Sequence, residues 1–490
     1  MKLYLHGHDY KYAAEQMLLT LYPNERPEYP EGKPEGDRAE LKLSYGEKFV
    51  TASCKLQLDG GLWHGKCAFL KERINDDISR DKLCQRAIKN AFYRAAISAG
   101  HGKPAWGALT GVRPGKVFTS LMEQGNADSA LHRFISEYDV SPERAELCRD
   151  TSLVTKQIAE SLEDKDICLY VGIPFCPTRC NYCSFVSQSV EKSMKLISPF
   201  MDALIKEVDA VAEAVNKLGL RVISIYMGGG TPTTLNPEQL ERLCSRLEEK
   251  FDLSALREYT VEAGRPDTIT EAKLRVLKAH GVDRVSVNPQ TMSDSVLEAI
   301  GRKHTAQDIV DALALVRKVG GMSVNMDLIA GLTTDTVEGF ENTLNTVLSL
   351  APENVTVHTL SLKKGSRITL EGSTIPTAAE VGRMLDIAGE KLRCADYAPY
   401  YLYRQKFMSG GFENVGWTKQ SYVNLYNVCI MEELCSIVAM GGGGSTKLVA
   451  RNGGKSIRIF APKYPVEYIN NIDKTCEAKQ GIIDFYCQED

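Results

Sequence analysis

Three cysteines lie close together in the segment VGIPFCPTRCNYCSF, with the spacing C-x3-C-x2-C. They are Cys176, Cys180 and Cys183, and no other part of the chain is as dense in thiols. A structural zinc site normally takes four protein ligands, and a second cysteine pair is missing nearby. A 4Fe–4S cluster also normally takes four thiolates, so three would leave one iron open to a small molecule. We therefore predict a reactive iron–sulfur cluster on this loop, with structural zinc as the alternative.

Composition narrows the class of protein. The chain has 490 residues, of which 43% are hydrophobic and 25% charged, as in soluble globular proteins. The net charge of −4 gives no overall basic surface for nucleic acid. No apolar run reaches the roughly 18 residues of a membrane span, and the N-terminus lacks the pattern of a signal peptide. We expect a cytoplasmic protein whose fourteen cysteines are reduced, most of them as small buried hydrophobic residues.

The middle of the chain alternates between strand-like and helix-like segments. Six short apolar runs each read as a strand buried on both faces. They are CLYVGI, VISIYMGG, YTVEA, RVSVN, SVNMDLIAG and NVTVHTLSL. Helical patterns such as NPEQLERLCSRLEEKF, with Asn236 as the cap, separate them. Six βα units predict a parallel α/β sheet closed into a partial (β/α)6 TIM-like barrel, and an open doubly wound sheet is the competing topology.

The ends of the chain differ from the middle. We predict an N-terminal α+β domain of unknown role over 1–160, the partial barrel over 165–395, and a C-terminal cap on the substrate side over 396–490. The last segment is rich in Tyr, Asn and Gly and contains MGGGGS, which could cap the site or form a simple loop.

The cysteine loop resembles the signature of the radical S-adenosylmethionine (SAM) enzymes. A strand and IPF precede the loop, and Tyr182 supplies the aromatic residue before the third cysteine. The wider context LYVGIPFCPTRCNYCSF resembles the oxygen-independent coproporphyrinogen III oxidase (dehydrogenase) family, including its heme-chaperone relatives. The long N-terminal region and PYYLYRQK…ENVGW resemble its HemZ branch. The resemblance implies a 4Fe–4S cluster on the three cysteines, SAM as cofactor and an external one-electron donor of the flavodoxin or ferredoxin type.

The resemblance also implies which residues hold SAM. The glycine-rich loop MGGGTPT would contact the methionine amine, since glycines let the backbone approach a ligand. A guanidinium suits the cofactor's carboxylate, and carboxylate or amide oxygens suit ribose hydroxyls. His358 would flank the adenine. The implied cofactor-binding residues are Tyr170, Gly228, Gly229, Gly230, Thr231, Glu262, Gln290, Arg302 and Asp327. No catalytic residue is implied beyond the cluster and the cofactor.

The substrate side is less specific. A porphyrinogen carries several propionates, and Arg404 and Lys406 in YYLYRQKF could pair with them, although an exposed charge pair on a strand is the alternative. Two positions depart from the family pattern. The family has a histidine where this chain has Gly172, and dehydrogenases carry a further cysteine where this chain, like the chaperones, has Phe185.

The implied reaction is radical oxidation of propionate side chains. A 5′-deoxyadenosyl radical would take hydrogen from a propionate β-carbon, and loss of carbon dioxide and an electron would leave a vinyl group. Two such steps would convert coproporphyrinogen III to protoporphyrinogen IX in heme biosynthesis. The alternatives are a heme-binding chaperone without turnover and a radical SAM enzyme acting on another tetrapyrrole. Four C-terminal cysteines were also candidates for a second cluster, namely Cys429, Cys435, Cys476 and Cys487.

Overall fold

A computed structural model describes residues 1–111, 113–183, 188–361, 375–405, 409–450 and 456–489. The chain divides into two compact units. The first comprises 1–149 together with 410–412, and the second comprises 150–409 together with 413–490. Within the described ranges, no helix is both long enough and apolar enough to cross a membrane.

The strands number seventeen among the described residues. They are β1 Lys2–His6, β2 Arg38–Tyr45, β3 Phe49–Leu58, β4 Gly61–Leu70, β5 Asp166–Ile173, β6 Phe175–Cys176, β7 Gln188–Ser189, β8 Arg221–Gly229, β9 Glu258–Val261, β10 Arg284–Ser286, β11 Ser323–Ala330, β12 Asn354–Thr359, β13 Ala398–Arg404, β14 Glu413–Thr418, β15 Ser436–Gly441, β16 Ser445–Leu448 and β17 Ile457–Phe460.

The described residues also form sixteen α-helices. They are α1 Lys11–Leu21, α2 Asp77–Ser98, α3 Pro114–Glu123, α4 Ala127–Tyr138, α5 Pro142–Glu160, α6 Val190–Leu218, α7 Pro237–Lys250, α8 Glu271–Ala279, α9 Asp294–Ala299, α10 Ala306–Val319, α11 Val337–Leu350, α12 Ala378–Cys394, α13 Leu425–Glu432, α14 Pro465–Asn470, α15 Ile472–Glu477 and α16 Gln480–Glu489.

The first unit is a small α+β structure. Strands β1 to β4 form one sheet in chain order, parallel between β1 and β2 and antiparallel elsewhere. Helices α1 and α2 bury their apolar sides against it, in a core that includes Met17, Leu41 and Phe92. Asp76 caps α2 by accepting a hydrogen bond from the backbone of Ser79.

The second unit is built on a sheet of eleven strands. Its six central strands, β5 and β8 to β12, are parallel and adjacent in chain order. In a doubly wound sheet the strand order reverses at a switch point, and no reversal occurs here. The winding therefore confirms the partial (β/α)6 barrel and rejects the doubly wound alternative.

The local signals that predicted these units are present in the structure. Seven of the eight residues of β5 are buried, which explains its continuous apolar sequence. The side chain of Asn236 accepts a hydrogen bond from the backbone of Gln239, and Pro237 occupies the first helical position of α7. Because the six central strands are parallel, their carboxyl ends and the loops that follow them lie at one edge of the sheet.

Strands from the segment predicted as a C-terminal cap extend this same sheet. At one edge, β14 pairs antiparallel with β12, and β13 pairs with β14. At the other edge, β15 runs parallel to β5, and β16 and β17 follow as an antiparallel extension. Residues 413–490 thus share one compact unit with the barrel.

Candidate cluster and cofactor site

The cysteine loop follows β5 and is held at its start by backbone pairing. Cys176 lies in the short strand β6, which pairs with β7 on the far side of the loop. Cys176, Cys180 and Cys183 are all partly exposed. Asn181 ties the loop to the end of α9, since its backbone N–H donates to the carbonyl of Ile300 at 2.9 Å.

Arg265 braces the loop from the end of β9. It is 3% exposed, and its Nη1 donates to Thr178 Oγ1 at 3.0 Å and lies 3.9 Å from the Sγ atom of Cys180. Its other two nitrogens form a bidentate pair with Asp267, at 3.1 and 3.0 Å. A bidentate pair fixes the guanidinium plane, so Arg265 presents a directed positive charge to the loop.

Arg302 lies against the same loop. Its Nη2 donates to the Tyr182 hydroxyl at 3.0 Å, and its Nη1 donates to the backbone carbonyl of Asn288 at 2.7 Å. Burial alone would lower the pKa of Arg302, but Tyr182 and Cys180 outweigh it and raise that pKa. The Nε atom is buried without a hydrogen-bond partner, so one donor of this guanidinium is left for a ligand.

These contacts fit a cluster held by thiolates. Thr231 Oγ1 donates to Cys176 Sγ at 3.6 Å, and two guanidinium groups lie beside Cys180. Hydroxyl and guanidinium donors stabilise a negatively charged sulfur and tune the potential of a cluster bound to it. The three cysteines would therefore hold the cluster, and the two arginines would offset its charge.

The glycine-rich loop after β8 packs directly on the strand that leads to the cysteines. Backbone hydrogen bonds run from Gly230 to Ile173 at 2.8 Å and from Thr231 to Phe175 at 2.7 Å. A Cβ atom on Gly230 would lie 2.5 Å from the carbonyl oxygen of Phe175. Gly229 has a φ of +100°, a conformation that L side chains rarely adopt. Glycine is therefore required at position 230 because the backbone of Phe175 lies so close, and at position 229 because of the backbone conformation.

Glu262 lies at the end of β9 beside this loop. It accepts a hydrogen bond from the Tyr226 hydroxyl at 2.5 Å, and a Cβ atom on Gly228 would lie 2.9 Å from its carboxylate. Burial raises the pKa of Glu262 to about 7, and Asp327 adds to the rise, whereas Tyr226 opposes it. Tyr170 stacks on Tyr226 with ring centres 6.4 Å apart, which places it with the same group.

Asp327 lies in β11 on the face that carries Asn325. Asn325 Nδ2 donates to Asp327 Oδ1 at 2.8 Å, and His358 Nε2 lies 3.8 Å from Asp327 Oδ2. Burial would raise the pKa of Asp327, but hydrogen bonds with His358, Asn325 and Thr356 outweigh it and lower that pKa. The carboxylate is thus kept ionised and able to accept hydrogen bonds.

Gln290 adopts a left-handed backbone conformation with a φ of +65°, which is uncommon outside glycine. Its backbone N–H donates to the carbonyl of Asp327 at 2.9 Å, and its carbonyl accepts from the backbone N–H of Ile329 at 3.0 Å. Gln290 is 5% exposed. The structure therefore places Gln290 next to Asp327, at the carboxyl ends of β10 and β11, where α/β sites form.

The substrate-side residues are only partly described. Arg404 ends β13 opposite Glu413, and burial lowers the pKa of Arg404 to about 10. Lys406 and Phe185 lie outside the described residues. The roles predicted for all three stay predictions.

The glycine that replaces the family's histidine has a structural reason. Gly172 pairs with Gly441 across β5 and β15, and a Cβ atom on Gly441 would lie 2.1 Å from the Gly172 carbonyl oxygen. A Cβ atom on Gly172 would itself lie 3.0 Å from the Gly442 carbonyl oxygen. The MGGGGS segment therefore occupies the space beside β5, and a histidine side chain at Gly172 would have to displace it.

The sequence analysis did not predict two residues that contribute to this site, Arg265 and Asn288. Arg265 follows Glu262 by only three residues, so its place after a strand end was a usable signal. Asn288 accepts from Arg302 through its carbonyl and from the Asp327 backbone through its side chain at 3.2 Å. A polar residue after β10 gave a weaker signal, because that strand has only three residues.

Comparison with known proteins identifies relatives of the chain. A model of the Radical SAM superfamily matches residues 170–347. The chain is 37% identical over 454 residues to the oxygen-independent coproporphyrinogen-III oxidase-like protein HemZ of Bacillus subtilis, which covers 90% of this chain and 88% of that protein. It is 30% identical over 262 residues to the heme chaperone HemW of the same organism, covering 52% of this chain and 67% of HemW.

A solved structure shows the same fold. Coproporphyrinogen III oxidase (HemN) from Escherichia coli, a radical SAM enzyme, aligns with a TM-score of 0.53 and 23% identity, over 66% of this chain and 73% of HemN. The chain therefore belongs to the HemZ- and HemN-like coproporphyrinogen oxidase family of radical SAM proteins, whose cofactors are a 4Fe–4S cluster and S-adenosylmethionine.

Proposed function

We propose that this protein is an oxygen-independent coproporphyrinogen III dehydrogenase, which converts propionate side chains to vinyl groups by oxidative decarboxylation. The observation that carries the proposal is the similarity to HemZ along nine-tenths of the chain. HemZ is described as oxidase-like, and the same reaction class is proposed here.

When bound, the cluster and SAM supply a one-electron oxidant that abstracts hydrogen from carbon. The chain's own residues bind and orient them. We assign Cys176, Cys180 and Cys183 to the cluster, and Arg265 to holding the loop in place. The free Nε donor of Arg302 would meet the cofactor's carboxylate.

The remaining predicted residues would hold the other end of SAM. Asp327 is ionised and partly exposed, so its carboxylate can accept hydrogen bonds from ribose hydroxyls. Glu262, beside the glycine loop, would pair with the methionine ammonium group once it is ionised. The tyrosines Tyr170 and Tyr226 would limit the access of water beside Glu262.

The substrate side of the proposal rests on charge. A tetrapyrrole with ionised propionates needs cations, and Arg404 stays positively charged at neutral pH despite its burial. Lys406 is its proposed companion. The electron donor is proposed to be a flavodoxin or ferredoxin. A cytoplasmic location follows from the same proposal, because a reduced cluster needs a reducing compartment.

A second candidate function is that of a heme-binding chaperone. Phe185 favours it, since the resemblance places a cysteine there in dehydrogenases and a phenylalanine in chaperones. The 30% identity to HemW is consistent with this reading. Such a protein would keep the cluster loop, bind heme stoichiometrically and release no carbon dioxide.

The test is an anaerobic incubation of the cluster-loaded protein with reductant, SAM and coproporphyrinogen III, analysed by mass spectrometry. The dehydrogenase should remove one or two formic-acid equivalents of mass from the substrate and form 5′-deoxyadenosine. A Cys180→Ala variant is the inactive control, because it lacks one cluster ligand.

The other outcomes separate the alternatives. Formation of 5′-deoxyadenosine with intact porphyrinogen would refute coproporphyrinogen III as substrate and leave another tetrapyrrole. Stoichiometric heme binding with transfer to an acceptor protein, and no decarboxylation, would establish the chaperone.

A further inference from the structure

Three buried cysteines meet away from the cluster loop. Cys168 lies in β5, Cys429 in α13 and Cys435 just before β15. Their Sγ atoms all lie within 4.8 Å of one another, and those of Cys168 and Cys435 are 3.7 Å apart. Among the residues that the structure describes, this is the only group of three histidine, cysteine or acidic side chains brought together so closely.

This grouping corrects the candidate set for a second site. Cys429 and Cys435 are part of it, but Cys168, 267 residues before Cys435, completes it. Cys476 and Cys487 do not belong to this group. Cys487 is exposed near the end of the chain, and Cys476 is only partly buried.

The sulfur separations suit one metal ion. Zinc bonds to thiolate sulfur at about 2.3 Å, so two sulfurs at tetrahedral angles lie roughly 3.8 Å apart. The observed separation of 3.7 Å between Cys168 and Cys435 matches that value. A trigonal arrangement at the same bond length would place the sulfurs roughly 4.0 Å apart, which also lies within the observed spread. The three thiols can therefore close on an ion with little movement of the backbone.

The surroundings select the kind of ion. The three cysteines belong to an apolar core with Ile158, Ile223 and other buried residues. A thiol buried among apolar side chains is ordinarily protonated. An ion must then displace the protons of the thiols, which soft cations with a high affinity for thiolate do best.

A cavity gives access to the site. It has a volume of about 380 Å³, and Cys435 is part of its wall. Four carboxylates also line it, those of Glu163, Asp164, Asp166 and Glu433. Arg221 contacts Glu163 and Asp166, and Lys447 contacts Glu433. Water in the cavity can complete the coordination of an ion that needs a fourth ligand.

We infer that Cys168, Cys429 and Cys435 form a second metal site, which binds one thiophilic d10 cation, Zn²⁺ or Cu⁺, independently of the radical SAM cluster. Each thiol that coordinates the ion releases its proton, and no electron is transferred. The site joins β5, α13 and the residue before β15, so the bound ion fixes the start of β15 to the barrel strand β5.

The experiment uses the full-length protein with its cluster assembled, so that the cysteine loop is already occupied. The protein is equilibrated anaerobically with Zn²⁺ alone, or with Cu⁺ alone, against a chromophoric chelator, and metals are counted per chain. We expect one Zn²⁺ or Cu⁺ beyond the cluster iron, at least tenfold weaker binding in Cys429→Ala, and unchanged binding in Cys244→Ala. Cys244 is the matched control, because it is equally buried in the same unit but has no cysteine partner.

X-ray absorption on the wild-type protein provides a readout that does not depend on variant folding. Three sulfur neighbours at about 2.3 Å from bound zinc would support the site. The inference is overturned if neither ion binds above the level of Cys429→Ala, or if the bound ion shows fewer than three sulfur neighbours.

Discussion

Gly230→Ala offers the sharpest test of how the glycine loop serves the site. The added Cβ would lie 2.5 Å from the Phe175 carbonyl oxygen and 2.7 Å from that of Ile173, both of which are backbone atoms. Real Cβ contacts rarely fall below 3.0 Å, so the loop must move by about 0.5 Å. The backbone bonds at Gly230 and Thr231 then lengthen from 2.8 and 2.7 Å toward the limit of a hydrogen bond.

The magnitude follows from these contacts. Overpacking of a close contact typically costs about 1–3 kcal/mol, a range that already includes the backbone shifts it forces. We therefore expect the free energy of unfolding to fall by about 1–3 kcal/mol. Because the loop also faces the predicted cofactor, we expect the affinity for SAM to fall about tenfold, which corresponds to about 1.4 kcal/mol.

Two variants serve as comparisons. In Gly228→Ala the nearest atoms belong to the Glu262 carboxylate, which can rotate, so SAM affinity should fall with little loss of stability. In Gly389→Ala the nearest atom is 3.9 Å away in Trp417, and the helix α12 should be stabilised slightly. The assays are thermal unfolding and a SAM titration on cluster-loaded protein. The reasoning fails if Gly230→Ala has the same thermal stability and the same SAM affinity as Gly389→Ala.

Three further predictions concern charged groups. In the folded protein the pKa of Glu262 is raised to about 7 from an ordinary value of 4.5, so its neutral form contributes stability that is present at low pH and lost as pH rises through 7. SAM binding should strengthen over the same rise, because an ionised Glu262 attracts the ammonium group, and Glu262→Gln should abolish that pH dependence in a binding titration. Arg265→Lys should speed loss of cluster iron several-fold, because it breaks the bidentate pair with Asp267 and the contact with Thr178 in the cysteine loop. The control is Arg246→Lys, which breaks a similar bidentate pair with Asp209 on the helix α7 and should retain iron like wild type. Asp327→Asn should weaken SAM binding about ten- to a hundredfold, as expected for a lost charge-assisted contact of about 1.5–3 kcal/mol, and unchanged affinity would contradict its ribose role.

Local sequence was sufficient to predict most of the central strands and helices, and it brings the three predicted cluster ligands onto one loop. Cys176, Cys180 and Cys183 lie within eight residues, so one loop brings them together whatever the rest of the chain does. The six strands were predictable because burial on both faces demands continuous apolar residues. The cap at Asn236 was predictable because it acts on a residue three positions away.

Contacts between distant segments required the tertiary structure. Arg265 reaches Cys180 across 85 residues, and Cys168 meets Cys435 across 267. Both contacts depend on which strands are neighbours and in which register they pair, and hydrophobic periodicity determines neither. The return of the C-terminal strand β15 beside β5 had no local signature, because its apolar run would suit any buried strand. That single pairing sets Gly441 against Gly172 and brings Cys435 beside Cys168, because parallel strands align residues that the chain itself keeps far apart.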